Sequence, residues 1–374
     1  MTVARSPHRA WIEVDHDAIR RNLAAIRRLA PEIEVIGVVK ANAYGHGDVA
    51  VSRTLLGEGV EHLAVATVDE GLRLREAGIR VPTLVLWGIG EMEAAVVADA
   101  GLEPIVYDER SIDVLGSTAG DRPIGVHLKI DTGLGRQGAD PEAALALAAR
   151  IGRSRRLRLA GTMSHLAVAG EDDAYTEVQL MRLAQALDAM RSSGIDPGLV
   201  HVSATGGILA GRVPFAGAMR PGIGLYGLLP NWASEREIGL HPALALKALP
   251  LRIFDLDAGE AIGYGLRFRA KEATRIATLG IGYGDGWPRV HANNGSALVR
   301  GQRVPIVGAV SMDGLTVDVG GVPGVTYGDE FVLIGEQGNG RITADEVAEE
   351  RRTINYEVTT ALRGRLPRLH LGAD

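Results

Sequence analysis

The stretch that decides the fold is residues 35–47, VIGVVKANAYGHG. Its first five residues are apolar and largely β-branched, a pattern typical of a strand buried on both faces. A lysine follows at once, and after it comes a loop that contains Gly45 and Gly47. A polar side chain placed directly after a buried strand is typical of the carboxyl end of a parallel barrel. Lys40 is therefore the first candidate functional residue.

Seven further runs of this kind follow along the chain, each separated from the next by a helical or loop segment. They cover residues 63–67, 83–86, 104–107, 125–130, 159–163, 199–202 and 218–220. Between them lie Ala- and Leu-rich segments such as 174–191, in which apolar residues recur at helical spacing. Eight strands with such crossovers predict an α/β fold whose N-terminal domain, residues 10–235, is a (β/α)8 barrel of the TIM type.

The sequence pattern changes after a linker near residues 229–242, which includes the charged run 235–237. Short runs then alternate with turns rich in Gly, Asp and Pro, and they cover residues 243–253, 275–281, 297–299, 315–319 and 331–334. This pattern predicts a mainly β C-terminal domain over 236–374, with helices at 343–351 and 354–363. The N-terminal segment 1–14, through its run 10–14, could pair with this domain.

Composition excludes several classes of function. The chain has 374 residues, 46% of them apolar, which is enough for two buried cores. A net charge of −6 without a basic block argues against nucleic-acid partners. We see neither a membrane-length apolar stretch nor a signal-peptide core, so we expect a cytoplasmic protein. The absence of cysteine excludes disulfides, a thiolate nucleophile and a cysteine metal site.

Lysine is rare in this chain. Of 40 basic residues only four are lysines, namely Lys40, Lys129, Lys247 and Lys271. A lysine retained where arginine is the usual cation suggests chemistry that arginine cannot perform, such as Schiff-base formation. Burial at a strand end lowers the pKa of a lysine and suits it to that role, although an ion-paired structural lysine is the alternative interpretation for Lys40.

Other candidates follow the later strands. The last strand runs into MRPGIG, residues 219–224, where the N–H groups of Gly222 and Ile223 could hold a phosphate. The preceding strand end supplies the hydroxyl of Ser203. A metal site built from His165, His201 and Asp131 is the weaker interpretation, because their spacing fits no compact ligand motif. We therefore predict no metal.

Six segments, taken together and in order, resemble the motifs of the alanine racemase family. They are VVKANAYGHG (38–47), LKIDTGLGRQG (128–138), MRPGIGLYG (219–227), IGYGDG (281–286), VSMDG (310–314) and TINYE (353–357). The resemblance covers essentially the whole chain. It implies pyridoxal 5'-phosphate as the cofactor, a small amino acid as the substrate, and a homodimer in which the barrel of one subunit and the β domain of the other share each active site.

The same resemblance implies a role for each matching residue. Lys40 would be the Schiff-base lysine and one catalytic base, and Tyr283 of the partner subunit would be the other. The cofactor phosphate would be held by Tyr44, Ser203, Gly222, Ile223 and Tyr356. Arg220 would face the pyridine nitrogen and, with His165, support the tyrosine base. Arg136 and the partner's Met312 would bind the substrate carboxylate, and Lys129 would be carbamylated.

The implied activity is racemisation of alanine by two bases, which supplies D-alanine for the cell wall. Ala309 and Gly314 depart from the family pattern near the substrate entrance. A racemase of serine or of broader specificity is therefore an alternative. A decarboxylase of the same architecture is disfavoured, because such relatives use an acidic residue at the pyridine nitrogen and a cysteine. A non-catalytic cofactor-binding barrel would leave the β domain unexplained.

Overall fold

The computed structural model describes residues 8–118, 120, 122–215, 217–233 and 238–373. These residues form two compact units, one of which is Ala18–His241. The other unit contains the residues from Pro242 onward together with those up to Asp17, including strand β1 (Ala10–Asp15). The predicted domain boundary at 235/236 and the charged run 235–237 lie outside the described residues.

The unit Ala18–His241 is a closed barrel of parallel strands, as predicted. Within the described residues its eight strands are β2 (Glu34–Val38), β3 (His62–Val65), β4 (Thr83–Val85), β5 (Glu103–Val106), β6 (Ile124–Lys129), β7 (Leu157–Met163), β8 (Leu199–Ala204) and β9 (Ala218–Arg220). The barrel closes where Val35 of β2 pairs with Met219 of β9. Every residue of β6 is buried, which is why apolar runs rather than alternation mark these strands in the sequence.

Helices follow most of the strands. They are α1 (His16–Leu29), which leads into β2, then α2 (Lys40–Tyr44), α3 (Asp48–Gly57), α4 (Val68–Glu76), α5 (Ala94–Ala100), α6 (Glu109–Thr118), α7 (Ala144–Arg153), α8 (Asp173–Ser192) and α9 (Thr205–Leu209). The element α2 was not predicted, because residues 41–44 have φ near +50° and form a left-handed turn. No helix in the described ranges is long and apolar enough to cross a membrane.

The second unit is mainly β, as predicted. Its strands besides β1 are β10 (Leu244–Ala248), β11 (Pro250–Leu256), β12 (Ala261–Ile262), β13 (Phe268–Arg269), β14 (Thr274–Leu279), β15 (Ser296–Val299), β16 (Gln302–Val307), β17 (Leu315–Asp318), β18 (Phe331–Gln337), β19 (Gly340–Ile342) and β20 (Arg368–Leu371). The helices α10 (Ala344–Arg351) and α11 (Asn355–Thr360) lie near its end. β1 pairs antiparallel with β10 and parallel with β20.

One predicted strand divides in two. The run 243–253 separates into β10, which pairs with β1 and β18, and β11, which pairs with β14. The division falls at Pro250, which has no N–H for a continuous ladder. The strand order of the main sheet is β11-β14-β17-β16-β15-β18-β10-β1-β20, with β19 added beside β18.

Candidate active site

Lys40 lies where β2 ends, at the start of the left-handed turn. The turn is held by the Glu70 carboxylate, whose Oε1 accepts from the Ala41 N–H at 2.7 Å, and by the Ala43 N–H, which donates to the Val39 carbonyl at 2.8 Å. Left-handed backbone costs about 1–2 kcal/mol per residue with a side chain. Backbone strain of this kind clusters at functional sites. Burial, together with the charges of Arg136 and Arg220, lowers the pKa of Lys40, against the opposing effect of Glu70.

Lys129 lies at the end of β6 and is almost wholly buried. Its Nζ donates to Gln137 Oε1 at 3.3 Å, and Gln137 in turn donates to the Trp87 carbonyl at 2.6 Å. Arg136 is exposed, with its guanidinium carbon 5.2 Å from the centre of the Trp87 ring. Burial and the charges of Arg136 and Arg220 lower the pKa of Lys129 to about 8. About one tenth of this amine is therefore neutral at pH 7.

Arg220, the last residue of β9, is buried, and both of its terminal nitrogens donate to neutral acceptors. Its Nη2 donates to the Ser164 and Val202 carbonyls, each at 2.9 Å, and to His165 Nδ1 at 3.2 Å. Its Nη1 donates to His201 Nδ1 at 2.6 Å. Burial lowers the pKa of Arg220 to about 9, which is still high enough to keep the guanidinium protonated at neutral pH. Within the described residues this cation has no carboxylate partner in the barrel.

These bonds fix the tautomers of three histidines, because arginine can only donate. His201 accepts at Nδ1, so its proton is on Nε2, which lies 2.9 Å from His127 Nδ1. His127 then donates from Nε2 to Glu103 Oε2 at 3.3 Å. His165 likewise accepts at Nδ1 and carries its proton on Nε2. A directed chain of hydrogen bonds thus runs from Arg220 down the barrel interior to Glu103.

Sequence reasoning did not find this chain. Its signal was present, since His127 precedes Lys129 by two residues and His201 precedes Ser203 by two, and alternate residues of a strand share a face. Burial, followed by the charge of Arg220, lowers the pKa of His201 well below its ordinary value, and the same causes lower that of His165 to about 3. Both histidines are therefore neutral at physiological pH.

A small cradle lies at the ends of β8 and β9. A Cβ at Gly222 would collide with the Tyr44 hydroxyl, and a Cβ at Gly207 would lie 3.0 Å from the Ser203 Oγ. The Gly222 N–H donates to Thr205 Oγ1 at 3.1 Å. The Ile223 N–H has no acceptor among the described residues. Backbone and two hydroxyl groups therefore converge where only glycine leaves room, and the resulting site suits a phosphate.

The site gathers four cations at the carboxyl end of the barrel, namely Lys40, Lys129, Arg136 and Arg220. Each lowers the pKa of His165, after the larger effect of burial. The nearby carboxylate of Asp131 is bound by the backbone N–H groups of Gly133, Leu134 and Gly135. No group of three metal-binding side chains occurs in the described part of the chain. The arrangement is suited to ligands with several negative charges.

The remaining predicted residues lie in the mainly β unit. Tyr283 and Met312 are on adjacent turns, since the Tyr283 N–H donates to the Ser311 carbonyl at 3.0 Å and the Gly284 N–H to the Met312 carbonyl at 2.8 Å. Asp285 anchors this turn through an ion pair of 2.7 Å with Arg9. The side chains of Tyr283 and Met312 are 37% and 53% exposed. Tyr356 is in α11, and burial raises its pKa to about 12.

A closed parallel barrel with lysines and arginines at its carboxyl end, followed by a mainly β unit, defines a two-domain barrel enzyme. Residues 14–230 match the family model for the alanine racemase N-terminal domain, and residues 243–370 match that for the alanine racemase C-terminal domain. The chain therefore belongs to the alanine racemase family.

Individual relatives are similar over nearly their whole length. An alanine racemase of Halothermothrix orenii is 37% identical over 362 residues, which cover 96% of each chain. The crystal structure of alanine racemase from D-cycloserine-producing Streptomyces lavendulae has a TM-score of 0.92 at 31% identity and covers 98% of both chains. That of Bacillus anthracis with bound L-Ala-P has a TM-score of 0.90 at 35% identity, over 98% of this chain and 96% of that one.

Proposed function

We propose that this enzyme interconverts L- and D-alanine with pyridoxal 5'-phosphate as its cofactor, by a two-base mechanism. The observation that carries the proposal is the cluster of Lys40, Lys129, Arg136 and Arg220 beside a glycine-lined cradle. A phosphorylated cofactor and an amino-acid carboxylate together supply the negative charges that such a cluster suits. The bound L-Ala-P of the Bacillus anthracis relative supports a ligand of alanine size.

The residues present fit this cofactor. The Tyr44 hydroxyl and the Ile223 N–H would hold its phosphate, and the bare Cα of Gly222 would leave room for it. The Ser203 hydroxyl, which donates to the Arg212 carbonyl, would turn from that acceptor to the phosphate. Tyr356 would add a fourth contact. Arg220 would donate to the pyridine nitrogen and keep it unprotonated, because a guanidinium cannot accept. Bound there, the cofactor withdraws electrons from the substrate α-carbon and makes its proton acidic.

Racemisation needs a proton donor and acceptor on each face of the α-carbon. Lys40 Nζ would exchange the proton on one face, and its lowered pKa favours the neutral amine that accepts it. Tyr283 of the partner subunit would exchange the proton on the other face. The Nε2–H of His165 would donate to that phenolic oxygen, because Nδ1 already accepts from Arg220. This hydrogen bond stabilises a phenolate and so helps tyrosine to act as a base.

The substrate carboxylate would be bound by the Arg136 guanidinium and by the backbone N–H of the partner's Met312. A carbamate on Lys129 would hold Arg136 in place with its negative charge. Exposure of Tyr283 and Met312 supports a homodimer, since a base that acts in a water-poor site must be covered. In this scheme the barrel unit, Ala18–His241, binds the cofactor. The enzyme would act in the cytoplasm and supply D-alanine for the cell wall.

Chiral analysis of a panel of L-amino acids, incubated with purified enzyme and pyridoxal 5'-phosphate, tests the function. We expect L-alanine to become racemic faster than any other substrate. Equal conversion of serine or several other amino acids would keep the mechanism and replace the substrate assignment, with Ala309 and Gly314 as the positions to examine. If nothing racemises while the cofactor is bound through Lys40, the proposal is wrong, and release of carbon dioxide would indicate a decarboxylase.

A further inference from the structure

A second cationic site lies at the opposite end of the barrel, where the strands begin. A cavity of about 530 Å³ is bounded there by the starts of β5, β6 and β7 and by the last turn of α5. Its charged lining residues are Arg75, Arg80, Asp99, Glu103, Arg122 and Arg158. The volume is within the range of about 300–1,000 Å³ that is usual for small-molecule sites.

The positive charge of this cavity is only partly balanced. Arg158 forms an ion pair of 3.3 Å with Glu103. Glu103 also accepts from His127, and although its burial acts in the opposite sense, this hydrogen bond and the charge of Arg158 lower the pKa of its carboxyl group. In the described residues Arg122 and Arg80 have no carboxylate within ion-pair distance. Among the described lining residues, four guanidinium groups therefore face two carboxylates, and one of these, Glu103, is already engaged.

Arg75 serves the fold rather than a ligand. It donates to the carbonyls of Ala100 and Gly101 at 2.8 and 3.0 Å, where α5 ends, and to Thr83 Oγ1 at 3.1 Å. Burial and the charge of Arg80 lower its pKa. Arg80, Arg122 and Arg158 are exposed at the rim. Arg80 donates from Nη1 to the Arg75 and Ile79 carbonyls, and Arg158 donates from Nη2 to Glu103. Each guanidinium keeps other N–H groups that suit bidentate binding of phosphate oxygens.

We propose that this cavity, which we call the basal cavity, binds a polyphosphate group. Such an anion would bridge Arg80, Arg122 and Arg158 and supply the negative charge that the lining lacks. Its size favours several linked phosphates over a single inorganic phosphate. The site is remote from the cluster around Lys40 and does not depend on the proposed reaction.

Isothermal titration of the cofactor-loaded enzyme with inorganic tripolyphosphate at low ionic strength tests the site. We expect saturable binding with a Kd below about 1 mM. Added salt should weaken this binding. Arg122→Gln should weaken binding about tenfold, as expected for loss of one charged hydrogen-bonding partner. Asp99→Asn, which removes an exposed carboxylate from the lining, should tighten it. Arg191→Gln makes the same charge change outside the cavity and should leave binding unaltered.

Thermal unfolding of each variant establishes that it is folded, and Arg80→Gln provides an independent second loss of charge. A parallel titration with ATP identifies the source of the phosphates. Equal affinities would mean that phosphates alone are recognised, and tighter binding of ATP would mean that the site takes a nucleotide. Absence of saturable binding of both probes, or equal binding by the Arg122→Gln and Arg191→Gln variants, would overturn the proposal.

Discussion

Lys129 should take up carbon dioxide more readily than an ordinary lysine. Carbamate formation consumes a neutral amine, which attacks carbon dioxide and releases one proton. With a pKa of about 8, the neutral form at pH 7 is about 200-fold more abundant than for a lysine of ordinary pKa near 10.4. The surrounding cations Lys40, Arg136 and Arg220 then stabilise the anion that forms.

The change to make is Lys129→Arg, which keeps the positive charge but cannot be carbamylated. With 13C-labelled bicarbonate near pH 7.5, the unchanged enzyme should give a carbamate signal by NMR, and this variant should lose it. Its KM for alanine should rise about tenfold. In this variant a cation replaces the negative carbamate beside Arg136, and a cation does not hold that guanidinium in place. Lys271→Arg, at an exposed site, serves as the control and should alter neither quantity. A signal that persists in Lys129→Arg, or that is absent from the unchanged enzyme at saturating bicarbonate, would refute this reasoning.

Three further outcomes are expected. Tyr283→Phe should lower kcat at least about 100-fold in both directions while cofactor absorbance is retained, and normal turnover would remove tyrosine from the mechanism. Arg220→Lys should lower the free energy of unfolding in urea by about 3 kcal/mol, since one ammonium cannot satisfy all four acceptors; an unchanged midpoint would contradict the buried network. Below pH 6.5 the unfolded chain protonates His165, whereas the folded chain, in which its pKa is about 3, does not. The free energy of unfolding should therefore fall as the pH falls. For this group alone we expect a loss of about 2 kcal/mol from pH 8 to pH 5. His165→Gln should reduce that slope, with His127 and His201 contributing in the same direction, and an identical slope would contradict the assignment.

The position of Lys40 illustrates what local sequence pattern can determine. Five apolar residues and a lysine suffice to predict a buried strand and its functional end, because hydrophobic periodicity is set by neighbours in the chain. The same holds for the other barrel strands, whose observed ends differ from the predicted ones by no more than two residues. The predicted single run 243–253 was wrong, because pairing with different partners divides it at Pro250.

The left-handed turn at residues 41–44 could not be predicted in the same way. Alanine and asparagine adopt positive φ at a cost, and the local sequence favours other conformations. The bond from the Ala41 N–H to the Glu70 carboxylate helps to hold this backbone. Glu70 lies 29 positions further along the chain, in α4, after α3 and β3. Its role depends on the packing of α4 beside the turn.

By itself, the sequence determined the barrel, the β unit, the absence of cysteine chemistry and the residues that end each strand, since these depend on residue type and short-range order. Only the tertiary structure decided which of those residues act together. His127 and His201 are 74 positions apart and Arg220 is 19 further on, yet their tautomers are fixed by one another. Of the four arginines of the basal cavity, Arg75 lies in α4, Arg158 in β7, and Arg80 and Arg122 in the loops before β4 and β6. Such contacts depend on closure of the barrel, which brings distant strand ends into one low-dielectric interior where charge and hydrogen bonding are strongly coupled.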